Sequence, residues 1–312
     1  MKKSPDEPAV KEPLTVRNIR ELYDQGVNIM GFCRDREGVT QNSLDTILLS
    51  YDLQSGSYTR AALEDAEYRR NLEHYAGVIA GVLDDLEGET LLEVGVGEAT
   101  TFCHVLSRLR RMPSAALGFD LSWSRVVCAQ KYAGRFPELK LQLFTGDLFA
   151  APLPDSSVDV VFTSHSIEPN HGREREALQE LYRITRRWLV LFEPTYELGN
   201  DATRKRIEEH GYIRNLPAIA RELGYRITRH ELLDSTWSPQ NQTGLMVIAK
   251  EPAASAASPP ALACPICKAP LDKVRGHCFC GNCLKVFPVL DGIPCLLPAN
   301  GILASKYPEA VS

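Results

Sequence analysis

No stretch of the 312 residues approaches the roughly 20 consecutive apolar positions of a membrane-spanning helix, and no membrane partner is expected. Basic residues are not in excess either: 35 Lys and Arg stand against 40 Asp and Glu, for a net charge of -5 and an isoelectric point near 5.9. Affinity built on many phosphate contacts needs clustered cations, so this balance argues, if weakly, against nucleic acid as a partner. Short clusters at Arg108–Arg111, Arg183–Arg187 and Arg204–Arg206 leave room for a local basic patch, although such clusters more often mark solvated helix faces or ends. The start, Met1 to Pro8, is charged and has no apolar core of the signal-peptide kind, so a cytoplasmic location is expected. Cysteine is scarce until late, six of the nine falling from Cys264 onward, which excludes one chain-wide disulfide framework. Cys33, Cys103 and Cys128 read as small buried apolar groups. Length and composition, 44% hydrophobic and 24% charged, suit a soluble α/β domain with additions.

The chain is organised around Thr90-Leu91-Leu92-Glu93-Val94-Gly95-Val96-Gly97-Glu98-Ala99-Thr100-Thr101. Its apolar run reads as a buried strand, and the segment to Leu109 continues as a helix, so the unit is strand, turn, helix. Gly95 and Gly97 let the backbone turn sharply and approach a ligand closely, since neither carries a Cβ. The third glycine of the dinucleotide fingerprint is absent, its position being Thr100, and a pyrophosphate would not want the acids Glu93 and Glu98 beside it. An acidic turn suits a cofactor carrying a cationic amino acid, with S-adenosylmethionine the evident candidate.

The next two strands also end in acids. Ala115 to Asp120 closes on a carboxylate about 20 residues past the glycines, where ribose hydroxyls are held in such folds. Leu141 to Leu148 carries Asp147, placed for an adenine amino group. In this order of glycine turn, Asp120 and Asp147 followed by an apolar residue, the chain resembles the class I S-adenosylmethionine-dependent methyltransferases from about Leu86 to Lys250. The resemblance implies a cofactor site of Glu93, Gly95, Gly97, Asp120, Leu121, Asp147 and Leu148. The alternative, that Asp120 and Asp147 are ordinary surface acids, needs three ordered coincidences.

Alternation of strands with helices (Ser122 to Tyr132, Val158 to Ser164, Arg173 to Ile184, Trp188 to Pro194) predicts a doubly wound, mainly parallel, seven-stranded Rossmann-like sheet with ligands outside its carboxyl edge. In the family the two strands at Ile227–Leu233 and Leu245–Lys250 form an antiparallel pair. Before the sheet, Glu64 to Leu86 reads as a helix burying Leu72, Tyr75, Ala76, Ile79, Ala80 and Leu83. Asn42 to Tyr58 reads as an apolar helical turn giving way to a polar loop, with Tyr51, Gln54 and Tyr58 as lid residues over the cofactor or as mere packing anchors. The expected organisation is an N-terminal tail and helical lid at 1–88, a catalytic domain at 89–251, an Ala/Ser/Pro linker at 252–263 and a zinc-ribbon module with tail at 264–312.

In this fold the loop after the fourth strand faces the methyl group. Methyl transfer is an in-line displacement, so the protein must align the nucleophile and take its proton where it has one. His165, Glu168 and His171 are the candidate bases; either histidine can equally serve only to hydrogen-bond the loop. Glu193 can orient a base or satisfy loop amides.

Cys264-x-x-Cys267 and Cys280-x-x-Cys283 form two knuckles separated by twelve residues, a spacing suited to a closed structural Zn2+ site. A module of under about 40 residues would hardly fold without metal. Cys278 and Cys295 read as outside the ligand set. With Phe287-Pro288-Val289-Leu290-Asp291-Gly292-Ile293-Pro294 after the knuckles, the module resembles the small zinc-ribbon activators of RNA and protein methyltransferases. The expected activity is methylation of oxygen or nitrogen on a small molecule or glycan-linked sugar. The alternatives are an RNA methyltransferase that grips structured RNA through the ribbon, and a non-catalytic cofactor-binding module.

Overall fold

The computed structural model describes residues 14–234, 238–251 and 260–309. Most of the expected N-terminal tail and residues 252–259 of the expected linker therefore lie outside the described residues. The central strands are β1 (Thr90–Val94), β2 (Ala115–Asp120), β3 (Leu141–Thr145), β4 (Val158–Ser164), β5 (Thr185–Pro194), β6 (Arg226–Leu232) and β7 (Thr243–Ala249). They form one sheet in the order β3-β2-β1-β4-β5-β7-β6, in which β7 alone runs against its neighbours. This is the predicted seven-stranded, mainly parallel sheet. β1 is buried on both faces, Glu93 included, as a central strand is when helices cover both sides. The strand order reverses between β1 and β4, which opens a crevice at their carboxyl ends. β5 starts three residues before the expected Trp188, because an irregularity opposite Val158–Val160 lets Thr185 pair with Val158.

Ten helices accompany the sheet among the described residues: α1 (Val16–Asp24), α2 (Ile29–Glu37), α3 (Leu44–Leu53), α4 (Ser57–Glu64), α5 (Ala66–Leu83), α6 (Thr100–Leu106), α7 (Trp123–Ala133), α8 (Glu174–Ile184), α9 (Asp201–His210) and α10 (Leu216–Glu222). In α5 the predicted stripe of Leu72, Tyr75, Ala76, Ile79, Ala80 and Leu83 is buried, and Asp65 caps the first turn by accepting from the Glu67 and Tyr68 amides. The N-terminal segment is more helical than its sequence reading. α2 has start and stop signals in Asn28 and the left-handed Gly38, and only Gln54 to Gly56 interrupt the path from α3 to α4.

The C-terminal module holds β8 (Asp272–Val274), β9 (His277–Cys280), β10 (Lys285–Phe287), β11 (Val289–Leu290), β12 (Ile293–Pro294) and β13 (Ile302–Leu303). β13-β10-β9-β8 form a small antiparallel sheet, and β11 and β12 pair across the Asp291-Gly292 turn, both of whose residues have positive φ. The module packs directly on the large domain. Cys295 bridges in parallel to Thr145 at the end of β3, and the Leu296 amide donates to the Thr145 carbonyl (3.2 Å) and to its Oγ1 (3.1 Å). Lys268 Nζ donates to the Ala151 carbonyl (3.0 Å) and to Glu180 (3.0 Å), and the Ala263 amide to the Pro152 carbonyl (2.9 Å). Phe287, Leu296 and Cys264 lie in one continuous core with Leu92, Phe119 and Phe144. The ribbon thus docks on β3, an edge strand of the parallel sheet, at its carboxyl end.

Candidate active site and metal centre

The β1–α6 turn is shaped by backbone that only glycine adopts freely. Gly95 has φ +73°, and a Cβ there would stand 2.2 Å from the Ser166 Cβ; Gly97 has φ +56°, and a Cβ there would meet Arg125 Nη2 at 2.9 Å. The turn is tied to β2, because the Gly95 and Val96 amides both donate to the Phe119 carbonyl at 2.9 Å. Asp120 Oδ2 accepts the Gly97 amide (3.0 Å) and Oδ1 accepts the Ser122 amide (2.9 Å), which leaves each oxygen a further lone pair toward the cavity. Asp147 accepts the Phe149 amide (2.9 Å), and burial pushes its pKa up.

These groups line one cavity of about 610 Å3, within the ordinary range for small-molecule sites. Glu93, Gly95, Gly97, Asp120, Leu121, Asp147, Leu148 and Tyr58 all face it, as do His165 and Glu168. His171 does not line it and instead places Nδ1 2.9 Å from Glu174.

The two acids of the turn have separated duties. Glu98 faces the helical cover: its carboxylate accepts the amides of Gly56 (2.8 Å), Tyr58 (3.4 Å) and Thr59 (2.7 Å) at the start of α4. Glu93 is buried, and its Oε2 has no hydrogen-bond partner among the described residues. Burial, with the charge of Asp120 second, holds its pKa well above the carboxylate range. A bound ammonium group would supply what this orphan atom lacks, so the turn fits a cofactor with a cationic amino-acid end. A second tie, Ser122 Oγ to Asp52 Oδ1 at 2.6 Å, joins α3 to the β2 end. Glu98→Ala is therefore expected to free the start of α4, with amide exchange at residues 56–60 accelerating by about tenfold or more, since hydrogen bonds to a charged acceptor contribute roughly 1.5–3 kcal/mol. Unchanged protection there would show that α4 is held by packing instead.

Tyr51, Gln54 and Tyr58, expected over the cofactor, all line the cavity. Between the two tyrosine rings lies the Arg125 guanidinium, 5.0 Å from Tyr51 and 4.9 Å from Tyr58. Burial opposes its charge, but Asp120 and the tyrosines outweigh that and raise its pKa. Arg125, Arg34 and Tyr212 carried no expectation from the sequence, and Arg206 figured only as part of the Arg204–Arg206 cluster. Arg125 had a local signal, standing five residues past the acid of β2 in the first turn of a well-capped helix; the others are brought in by the tertiary fold.

At the end of β4 the backbone of His165 is left-handed (φ +53°), which turns the chain out of the strand. Both ring nitrogens are engaged: Nδ1 lies 2.8 Å from Glu168 Oε2 and Nε2 lies 2.8 Å from Thr243 Oγ1. Burial alone would lower the His165 pKa, but the Glu168 hydrogen bond and the charges of Glu168 and Glu193 raise it above the ordinary value. Glu193 satisfies loop amides, accepting from Ser166 (3.1 Å), Ile167 (3.2 Å) and Glu168 (3.2 Å), while burial pushes its pKa up to about 7.

The four sulfurs of Cys264, Cys267, Cys280 and Cys283 lie within 4.8 Å of one another. Cys264 to Cys283 is 4.0 Å and Cys267 to Cys280 is 3.5 Å, close to the edge of about 3.8 Å that follows for a tetrahedron with metal–sulfur bonds of roughly 2.3 Å. All nine cysteines are free thiols, and Cys278 and Cys295 are buried away from the cluster. The set fits a metal that takes four thiolates in a closed shell.

Residues 92–188 match the family model described as a methyltransferase domain. The structure is distantly similar to an S-adenosylmethionine-dependent methyltransferase from Aquifex aeolicus, at 15% identity over 61% of this chain and 92% of that one, TM-score 0.42. It is similar in the same degree to the magnesium protoporphyrin IX methyltransferase of Synechocystis with SAH bound (14% identity, 75% of this chain and 98% of that one, TM-score 0.46). A third similar chain comes from the complex between a methyltransferase activator and a methyltransferase of Haloferax volcanii (15% identity, 63% and 98%, TM-score 0.46). No helix among the described residues is long and apolar enough to cross a membrane. On its sheet order, its glycine turn and the matched segment, the chain carries an S-adenosylmethionine-dependent methyltransferase domain of the class I fold, together with a four-cysteine cluster suited to a metal.

Proposed function

We propose that the enzyme methylates oxygen or nitrogen of a small molecule or glycan-linked sugar. The observation that carries this reading is the cover: α3 and α4 are hydrogen-bonded onto the cofactor turn through Glu98 and Asp52, so the cavity suits an acceptor that fits beneath helices. A structured RNA would need an open basic approach, and the net charge of -5 does not favour one.

In this reading Asp120 takes the ribose hydroxyls, Asp147 the adenine amino group, Leu121 and Leu148 flank the base, Gly95 and Gly97 admit the amino-acid portion and Glu93 meets its ammonium. Tyr58 closes over it. The cofactor supplies an electrophilic methyl group on a sulfonium. Glu168 serves as general base: it faces the cavity, and His165, whose ring nitrogens are hydrogen-bonded to Glu168 and Thr243, holds it in place. His165 is then a positioning residue, having no free nitrogen to take a proton, and His171 a loop anchor. The ribbon holds a structural zinc through Cys264, Cys267, Cys280 and Cys283.

The test is calorimetry with S-adenosylhomocysteine on metal-replete full-length protein, followed by labelled methyl transfer to small-molecule and RNA acceptors. Asp120→Ala removes two backbone ties and the ribose acceptor, and the expected loss of affinity for S-adenosylhomocysteine is on the order of a hundredfold. Affinity within threefold of the parent would remove Asp120 from the site, and labelled transfer to RNA alone would move the reading to its runner-up.

A further inference from the structure

The carboxylates around the cavity already have partners from the protein, with the exception of Glu93, whereas its arginines lack carboxylate partners. Glu98, Asp120 and Asp147 accept backbone amides, and Glu168 is paired with His165. Arg34, Arg125 and Arg206 line the same cavity, and among the described residues none of them forms an ion pair within 4.0 Å. Arg125 has the charge of Asp120 nearby and belongs to the cofactor end. Arg34 and Arg206 do not share that arrangement.

Arg206 is carried by α9, and Arg34, on α2, reaches the last turn of α9 through the Glu209 carbonyl. Arg34 is 8% exposed, donating Nη1 to Asn42 (2.5 Å) and Nη2 to the Glu209 carbonyl (3.0 Å), neutral acceptors that leave its charge uncompensated. Arg206 has its Nε buried with no hydrogen-bond partner among the described residues, and its guanidinium lies 6.0 Å from the Tyr212 ring. Tyr212 in turn hydrogen-bonds Glu168, so Arg206 stands on the Glu168 side of the cavity. Val27, Ile29, Met30, Leu44 and Ile47 supply the apolar wall around this end. Arg34 is withdrawn from water without a counter-charge and Arg206, half-buried, has a buried Nε without an acceptor; an anion arriving with the acceptor offsets both costs.

We propose that the methyl acceptor is an anionic small molecule, a carboxylate or phosphate ester on an apolar frame, whose anionic group pairs with Arg206 at the α9 end while its nucleophile faces Glu168. Arg34, held against the Glu209 carbonyl, adds positive charge behind the same group. This rests on the methyltransferase reading and adds to it the charge of the acceptor. Arginine rather than lysine suits the task, because its planar fork can hold two oxygens of a carboxylate or phosphate at once.

The experiment uses the full-length, metal-loaded protein saturated with S-adenosylhomocysteine, and measures binding of 4-hydroxybenzoate, 4-hydroxyphenyl phosphate and the neutral methyl 4-hydroxybenzoate. One of the two anions is expected to bind about tenfold or more tightly than the ester, and which one does so distinguishes carboxylate from phosphate recognition. Arg206→Gln is expected to erase that preference with no change in S-adenosylhomocysteine affinity, and Arg206→Lys to restore part of it. The proposal is overturned if neither anion binds, if the ester binds as well as the anions, or if Arg206→Gln keeps the preference. Failure of S-adenosylhomocysteine itself to bind would instead remove the methyltransferase reading on which it rests.

Discussion

Glu168→Gln is expected to lower kcat by on the order of a hundredfold to ten-thousandfold, the range for loss of a general base, with S-adenosylhomocysteine affinity unchanged. The amide keeps a hydrogen-bond acceptor near His165 but cannot take a proton from the acceptor. His165→Gln should give a smaller loss, because it leaves the carboxylate in the cavity and removes only what orients it. The pair also makes stability depend on pH. The raised pKa of His165 means that the folded state binds a proton more tightly than the unfolded chain does. Its contribution is therefore present in full below the ordinary histidine pKa and is lost as pH rises through the raised folded value. Melting curves across that window should fall with pH in the parent and flatten in Glu168→Gln. A variant that retains parental turnover would take Glu168 out of the chemistry, and a flat parental melting profile would take the charge off His165.

Chelation of the metal is expected to unfold the C-terminal ribbon outright. Apparent binding energies of structural zinc in small modules are roughly 10–16 kcal/mol, more than the stability of most whole domains. Here the loss should reach the large domain, because Cys264, Phe287 and Leu296 are part of its core and the Leu296 amide is bonded to Thr145, two residues before Asp147. Metal release, followed by a colorimetric chelator, should therefore coincide with loss of amide protection in β9 and β10 and in the end of β3. Release of one metal per chain with the protection of β9 and β10 intact would mean that the four sulfurs bind metal without being folded by it.

Local chemistry was readable wherever a few adjacent residues carry the structure. Leu91, Leu92 and Val94 mark a buried strand although Glu93 interrupts them, and Gly95 and Gly97 must turn because their backbone conformations and close neighbours exclude side chains. The stripe on α5 and the knuckle spacing were readable for the same reason, since the periodicity and the spacing are themselves the geometry. Less was readable at α2 and α4, short helices whose weak local signals are completed by Glu98 and other partners far along the chain. At the β4 end the residue types were right as a group, yet their division of labour was not visible. Thr243 is 78 residues from His165, and its contact with Nε2 removes the imidazole's free nitrogen.

The sequence by itself determined the strand-turn-helix unit, the acids that end β2 and β3 and the four-sulfur set, because each is a short-range pattern that backbone sterics and metal coordination read directly. Only the tertiary structure decided that Glu98 serves the cover while Glu93 Oε2 finds no partner among the described residues, that His171 stands outside the cavity, that Arg34 and Arg206 both line it, and that the ribbon docks at the carboxyl end of β3. Those outcomes depend on which buried charges find partners, and the partners are supplied by segments that only folding brings together.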